Sequence, residues 1–488
     1  MLATETETYA LNPTIPRPKL AATGVFVGGL LVTGFVAWGD LPSELARSTA
    51  VGVGISLIMS LFVELRQGRW DNLLRADLVA LVALYYLLFV EFLFPQPRFD
   101  EMVALSAAIK PAITVCLFAF AAIAVGRHFV SRHISHWQIV KAKLPPSSLL
   151  ILFWCSFVLG FFNMLLAVDF DPLEMVRYFL GPRFEVPWGR GQFGDLNALL
   201  WELGAVLYLV PPLAGIILGR RRLYSGLALF LVLLGLSFTF FYGFCTGTRN
   251  LIGSYLITFI VAYFYACRSW RATIVPGILV VVIMVMATMH APRFRGMGLA
   301  DYLSEEEQAF GPDDEENFFV DYNFYVVAVL TNLFPRQYNY LEWQVPLWLV
   351  ARPVPRAFWP GKPDGESVSP QNYLGVTGGT TISATFIGEA YMSAGLLGVI
   401  IAGLGLGYFC QWWTQKAFSP RSNFGIVIYG SGFFAVAMTM RSMYMLTVAL
   451  LPTLAVAVAG WWLMRRELGG QTPEQFHVAD KQPLLHER

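Results

Sequence analysis

The side chains best able to do chemistry in this sequence are arginines set beside apolar runs. Arg249 lies in Thr246-Gly247-Thr248-Arg249-Asn250, Arg441 falls between two apolar stretches, and Arg352 and Arg356 share a proline-rich segment. A guanidinium pairs in a planar, bidentate fashion with phosphate or carboxylate oxygens and stays protonated at any physiological pH. The simplest ligand for such a set is an anion held at lipid-headgroup depth, such as a lipid diphosphate. A boundary arginine can also snorkel to headgroups, and for Arg249 or Arg441 alone that alternative stands level with the functional one. Glu389 follows Phe386-Ile387-Gly388 at the start of a long apolar run. A carboxylate there is either a general base or a charge complementing a helix N-terminus, and Asp195 carries the same ambiguity.

Metal chemistry has weaker grounds. The acidic run from Glu305 to Glu316 has consecutive acids rather than spaced ligands, so a solvated loop surface is expected and no metal site is assigned. His128, His133 and His136 share one basic stretch without a ligand spacing, and the five cysteines form no CxxC pair. No cofactor is called for by any motif.

These residues must be positioned by helices in lipid. Only 14% of the 488 residues are charged and 56% are apolar, where a soluble chain needs roughly 25% charged residues. A net charge of +1 gives no general attraction for nucleic acid. Apolar runs of about 20 residues recur about twelve times, near 20–38, 47–64, 78–94, 103–125, 147–167, 196–219, 223–242, 250–267, 272–289, 390–412, 423–440 and 443–464. The expected fold is therefore an all-α polytopic membrane protein. Its parts are a tail at 1–19, helices over 20–289, a large loop at 290–389, helices over 390–464 and a second tail at 465–488.

Residues 1–19 lack the basic start of a cleavable signal peptide, so the first apolar run is expected to persist as a helix. Clusters such as Arg66, Arg69, Arg75 and Arg220 to Arg222 place both termini in the cytoplasm by the positive-inside rule. Arg177, Arg183 and Arg190, in the short outer stretch 168–195, break that rule and invite a functional explanation. The large outer loop opens with His290, Arg293 and Arg295, expected ligand contacts, and later becomes aromatic, with Tyr338 and Trp343 among a platform for sugar rings running from Tyr322 to Trp348. Segments 321–334 and 341–350 are too short to cross and are expected to be interfacial or re-entrant.

The run Arg352-Pro353-Val354-Pro355-Arg356-Ala357-Phe358-Trp359-Pro360-Gly361-Lys362-Pro363, then Thr380-Thr381-Ile382-Ser383 and Gly388-Glu389-Ala390-Tyr391 with Gly395 and Gly398, resembles oligosaccharide repeat-unit polymerases of the Wzy type. The resemblance covers about 50 residues; elsewhere it lies in helix number, cytoplasmic termini and one large outer loop. It implies a membrane glycosyltransferase of the bacterial inner membrane whose site faces the periplasm and which builds O-antigen or exopolysaccharide. Donor and acceptor would both be polyprenyl-diphosphate-linked oligosaccharides, with no nucleotide sugar, and membrane lipids, a chain-length regulator and a flippase would be its neighbours. Arg352, Arg356, Lys362 and Glu389 are the residues carried over. With Arg249 and Arg441 they make the expected site, Glu389 acting as base. The alternatives are an O-antigen ligase-type transferase, which uses the same leaving group, and a lipid-linked oligosaccharide flippase or transporter.

Overall fold

The computed structural model describes residues 16–468 except 68–69, 104, 132–136, 138–139, 141–143, 189–202, 268–269, 305–321, 355–357, 360, 364, 376–381 and 420–421. Among the described residues there is no strand, and the frame is helical throughout. The helices that build it are α1 (Leu20–Val36), α2 (Pro42–Gln67), α3 (Ala76–Leu88), α4 (Lys110–Gly126), α5 (Pro146–Ala167), α6 (Pro172–Leu180), α7 (Val210–Gly219), α8 (Gly226–Cys245), α9 (Arg249–Cys267), α10 (Trp270–Met297), α11 (Leu299–Ser304), α12 (Asn323–Leu333), α13 (Gln344–Ala351), α14 (Thr385–Ala417), α15 (Asn423–Arg441), α16 (Met445–Ala449) and α17 (Leu451–Leu468).

Each of the twelve apolar runs meets a helix. Eight of these helical stretches are long and apolar enough to cross a membrane, while Leu20–Val36, Ala76–Leu88, Gly204–Gly219 and the apolar part of α10 are shorter. Large apolar side chains point outward, with Phe35 89%, Leu227 70% and Phe230 62% exposed. Such a belt would be untenable in water and is natural against lipid. Inside, α15 is buried almost from end to end. α14 lies against α4 at very short range, because a Cβ at Gly407 would meet the Ile123 carbonyl and one at Gly126 the Leu404 carbonyl. Small residues that let backbones approach are a familiar means of packing helices in lipid.

Hydrogen bonds sort the helix ends into two groups. At the proximal end, where α1 begins, Lys19 N donates to Glu64 of α2 (3.1 Å), Ala76 N to Thr414 of α14 (3.4 Å) and Asn423 Nδ2 to the Leu144 carbonyl before α5 (3.2 Å). At the distal end, Asn323 Nδ2 donates to Leu87 O of α3 (3.0 Å), and Ser442, just after α15, donates to Glu389 of α14 (2.6 Å).

Two boundaries differ from expectation. α10 runs on through His290 to Met297, so the expected start of the large loop lies within a helix. α14 already begins at Thr385 and is broken at Ala394 and Gly395, the latter at φ +61. The carbonyls of Met392 and Ser393, released by that break, accept from Leu341 N (2.8 Å) and Glu342 N (2.9 Å). Within the segment expected to be interfacial or re-entrant, α12 buries Phe324, Val327 and Leu330 against the bundle. Phe324 sits among Phe89, Phe92 and Phe99, with centroids 5.5–6.2 Å apart.

Candidate functional site

The distal end holds a cavity of about 440 Å³ between α5, α6, α9, α15 and α16. Its cationic walls are Arg183 and Arg441; Thr246, Thr248, Asn250 and Asn163 add neutral polar groups, and Tyr178, Tyr208 and Tyr242 contribute rings.

Arg183 is placed by a local sequence logic. Asp171 caps α6, accepting from Leu173 N (2.9 Å) and Glu174 N (3.2 Å), with Pro172 at the first helical position. Both choices favour helix initiation. α6 ends at Gly181, and Pro182 leads directly into Arg183. Its Nη1 donates to Thr248 Oγ1 at 2.6 Å. Thr248 belongs to the turn between α8 and α9, which needs Gly247 at φ +61, a conformation that costs glycine nothing. Two groups of rings line the cavity: Phe179 lies 4.9 Å from Tyr242 and 5.6 Å from Trp188, and Tyr208 stacks on Phe434 at 3.5 Å between centroids.

Arg441 is the last residue of α15, where a cation complements the helix dipole. The charges of Arg183 and Arg441 both act on the Tyr208 hydroxyl, so the two guanidiniums share one neighbourhood. Beside Arg441, Glu389 is 3% exposed and engages the following turn with both oxygens. Oε1 accepts from Ser442 Oγ (2.6 Å), and Oε2 accepts from Met443 N (2.6 Å) and Tyr444 N (3.3 Å). The residue expected as a base, or as a charge at its own helix start, thus accepts three hydrogen bonds from the chain's own donors. The charge of Arg352 acts on the same carboxylate.

The other expected residues divide. Arg249 is buried at the start of α9, with its guanidinium 5.8 Å from the Tyr86 ring, and does not line the cavity. Lys362 Nζ donates to Arg352 O (2.8 Å) and Val354 O (2.9 Å) and lies 5.1 Å from the Trp348 ring, so it secures the turn after α13. His290 Nδ1 is 3.0 Å from the Tyr302 hydroxyl, with Arg293 and Arg295 further along the same helix. Tyr338 packs 5.0 Å from Tyr373 and 5.8 Å from Phe334, and Trp343 is 80% exposed. The aromatic stretch therefore does not form one platform: part is core and part is surface. Arg356, Asp195, His133, His136 and the acidic run 305–316 lie outside the described residues.

The residue missed as a site member is Arg183. Its signal was present as a topogenic anomaly, but nothing local joined it to Arg441.

Residues 213–443 match the model of a domain of unknown function, DUF8712. The stretch runs from within α7 to the turn held by Glu389, and includes Thr246 to Asn250, Arg352 and Arg441 but not Arg183. No curated protein and no solved structure matches the chain.

Proposed function

We propose that the chain is a membrane glycosyltransferase that polymerises polyprenyl-diphosphate-linked oligosaccharide repeat units into a surface polysaccharide. In this reading twelve helices cross the bacterial inner membrane, both termini are cytoplasmic, and the distal end with the large loop faces the periplasm. The observation that supports it is the placing of Arg183 and Arg441 on one ring-walled cavity at the end of the bundle. A hydroxyl of the incoming repeat unit attacks the anomeric carbon of the growing chain. The new C–O bond forms as the bond to the diphosphate oxygen breaks, its electron pair leaving with the polyprenyl diphosphate while the hydroxyl proton is released. The negative charge gathering on the leaving oxygens is stabilised by fixed guanidiniums in a partly dehydrated site. In the cell a flippase would supply the units and a regulator would set chain length, while the bond-forming step itself needs neither.

The test uses the purified protein in nanodiscs containing lipid-linked repeat units. A product ladder formed without nucleotide sugar is the expected result. A single transfer to a separate acceptor would make the protein a ligase, and transbilayer movement without new glycosidic bonds would make it a flippase.

A further inference from the structure

α15 ends at Arg441, Ser442 is extended (φ −155, ψ 123), and α16 begins at Met445. N–H groups at the entrance to a helix have no partner within it. Here those of Met443 and Tyr444 are taken by one carboxylate oxygen of Glu389, while the other accepts the Ser442 hydroxyl. A second tie holds the same corner, because Ser383 Oγ donates to Arg441 O at 2.6 Å. Glu389 and Ser383 thus fasten the start of α14 to the corner from which Arg441 and Met445 line the cavity. A general base must reach the reacting hydroxyl with an available lone pair. Three hydrogen bonds from residues 442–444 already hold the Glu389 oxygens in place.

We infer that Glu389 is a positioning residue, whose carboxylate fixes the Ser442–Tyr444 turn and thereby aims Arg441 into the cavity. The inference rests on reading that cavity as the site of the departing diphosphate.

Glutamine can do the same work. Its amide oxygen can accept from Met443 and Tyr444, and its NH₂ can donate to Ser442 Oγ once the hydroxyl has rotated. Glu389→Gln should therefore keep the ladder within a few fold, whereas Glu389→Ala should lose on the order of a hundredfold, the cost of misplacing one preorganised donor. If the effect passes through Arg441, the double variant Glu389→Ala/Arg441→Ala should be no worse than the poorer single one, since residues acting as one unit are not additive. Ser442→Ala, a milder cut, should fall in the same direction by several fold and serves if Glu389→Ala fails to accumulate.

An activity-independent arm uses a cysteine at Met445 in a background without the five native cysteines. Glu389→Ala should raise its rate of maleimide labelling and Glu389→Gln should not. Severe loss in Glu389→Gln with unchanged labelling would return Glu389 to the role of base, and unchanged labelling in Glu389→Ala would remove its hold on the turn. Either result overturns the inference. Failure of the wild-type protein to form any ladder would instead count against the proposed reaction, leaving the labelling arm to decide the positioning role.

Discussion

Arginine is used in opposite ways at the two ends of the molecule. At the proximal end Arg75 and Arg127 are buried with Glu64 and Asp77, in contacts of 2.9 Å for each Arg75 pair and 3.4 and 3.0 Å for the Arg127 pairs. Two cations face two anions, and the remaining donors reach Arg17 O and Thr23 Oγ1. At the distal end Arg183 and Arg441 line a cavity, with Arg183 donating to the Thr248 hydroxyl and lying 5.8 Å from the centroid of the Phe184 ring. Removing an ion from water costs several kcal/mol, repaid only when its geometry is saturated by opposite charge and hydrogen bonds. The proximal set meets that demand within the chain and ties α1, α2, α3 and α4 together. Under the proposed function, the distal pair meets the diphosphate of the lipid-linked substrate. Burial with carboxylates therefore reads as architecture, whereas recognition by the guanidiniums on the ring-lined cavity belongs to the proposed function.

The sharpest way to break this contrast is to cut one arginine from each end. Arg75→Ala leaves Glu64 and Asp77 buried with half their compensation, a loss of about 3–5 kcal/mol. It should abolish monodisperse protein in fluorescence-detected gel filtration. Arg441→Ala should give protein of near wild-type thermal stability whose ladder formation is cut on the order of a hundredfold or more but still measurable. Equal destabilisation by both would erase the distinction.

Lysine separates recognition from snorkelling within the distal pair. If Arg183 and Arg441 clamp a diphosphate, Arg→Lys keeps the charge and loses the bidentate fork, at about 3 kcal/mol or on the order of a hundredfold in rate for each. If they only anchor headgroups, lysine serves as well and ladder formation is unchanged. Arg249, which packs on Tyr86 away from the cavity, should tolerate lysine much better than Arg441. A severe Arg249→Lys defect at normal expression would bring that residue back into the site.

The sidedness of the contrast can be read without activity. In a cysteine-free background, a cysteine at Ser304, at the end of α11 after the distal end of α10, should react with an impermeant maleimide outside intact spheroplasts. A cysteine at Ser225, the cap of α8 at the proximal end, should not. Reversed labelling would turn the cavity toward the cytoplasm.

Much of the frame was legible because length and apolarity are local properties: the apolar runs coincide with helices to within several residues. Charge was less legible because its meaning depends on contacts. Arg75 and Arg127 read as topogenic cations, and only the fold brings them to Glu64 and Asp77. Arg183 read as an anomaly until α6 delivered it to the α8–α9 turn. The Gly395 break was marked by a glycine in the recognised motif, but its partners, Leu341 and Glu342, come from a distant turn. Glu389 was correctly singled out as an acid at a helix start. Its hydrogen bonds to residues 442–444, just ahead of α16, were not legible because they join segments more than 50 residues apart.

The smallest expected effect lies at the edge of the proximal set and would refine how closed it is. Thr23 Oγ1 receives Arg127 Nε (3.2 Å) and Nη2 (2.6 Å) and stands 2.6 Å from His128 Nε2. The hydroxyl has two acceptors within reach, Lys19 O at 3.4 Å and His128, and donation to His128 requires Nε2 to be the unprotonated ring nitrogen. Burial first, and then the neighbouring Arg127 charge, push His128 below its ordinary value of 6.5. The folded protein thus binds fewer protons at this group than the unfolded chain does. Stability from His128 is complete above about pH 6.5 and is lost as pH falls from there toward the lowered folded value. Thermal unfolding in detergent should show a melting temperature that declines as pH falls below about 6.5, with the decline reduced in His128→Gln, whose amide oxygen can still accept from Thr23. An identical pH profile for wild type and His128→Gln would mean that the hydroxyl's proton is directed elsewhere and that the proximal set ends at Thr23.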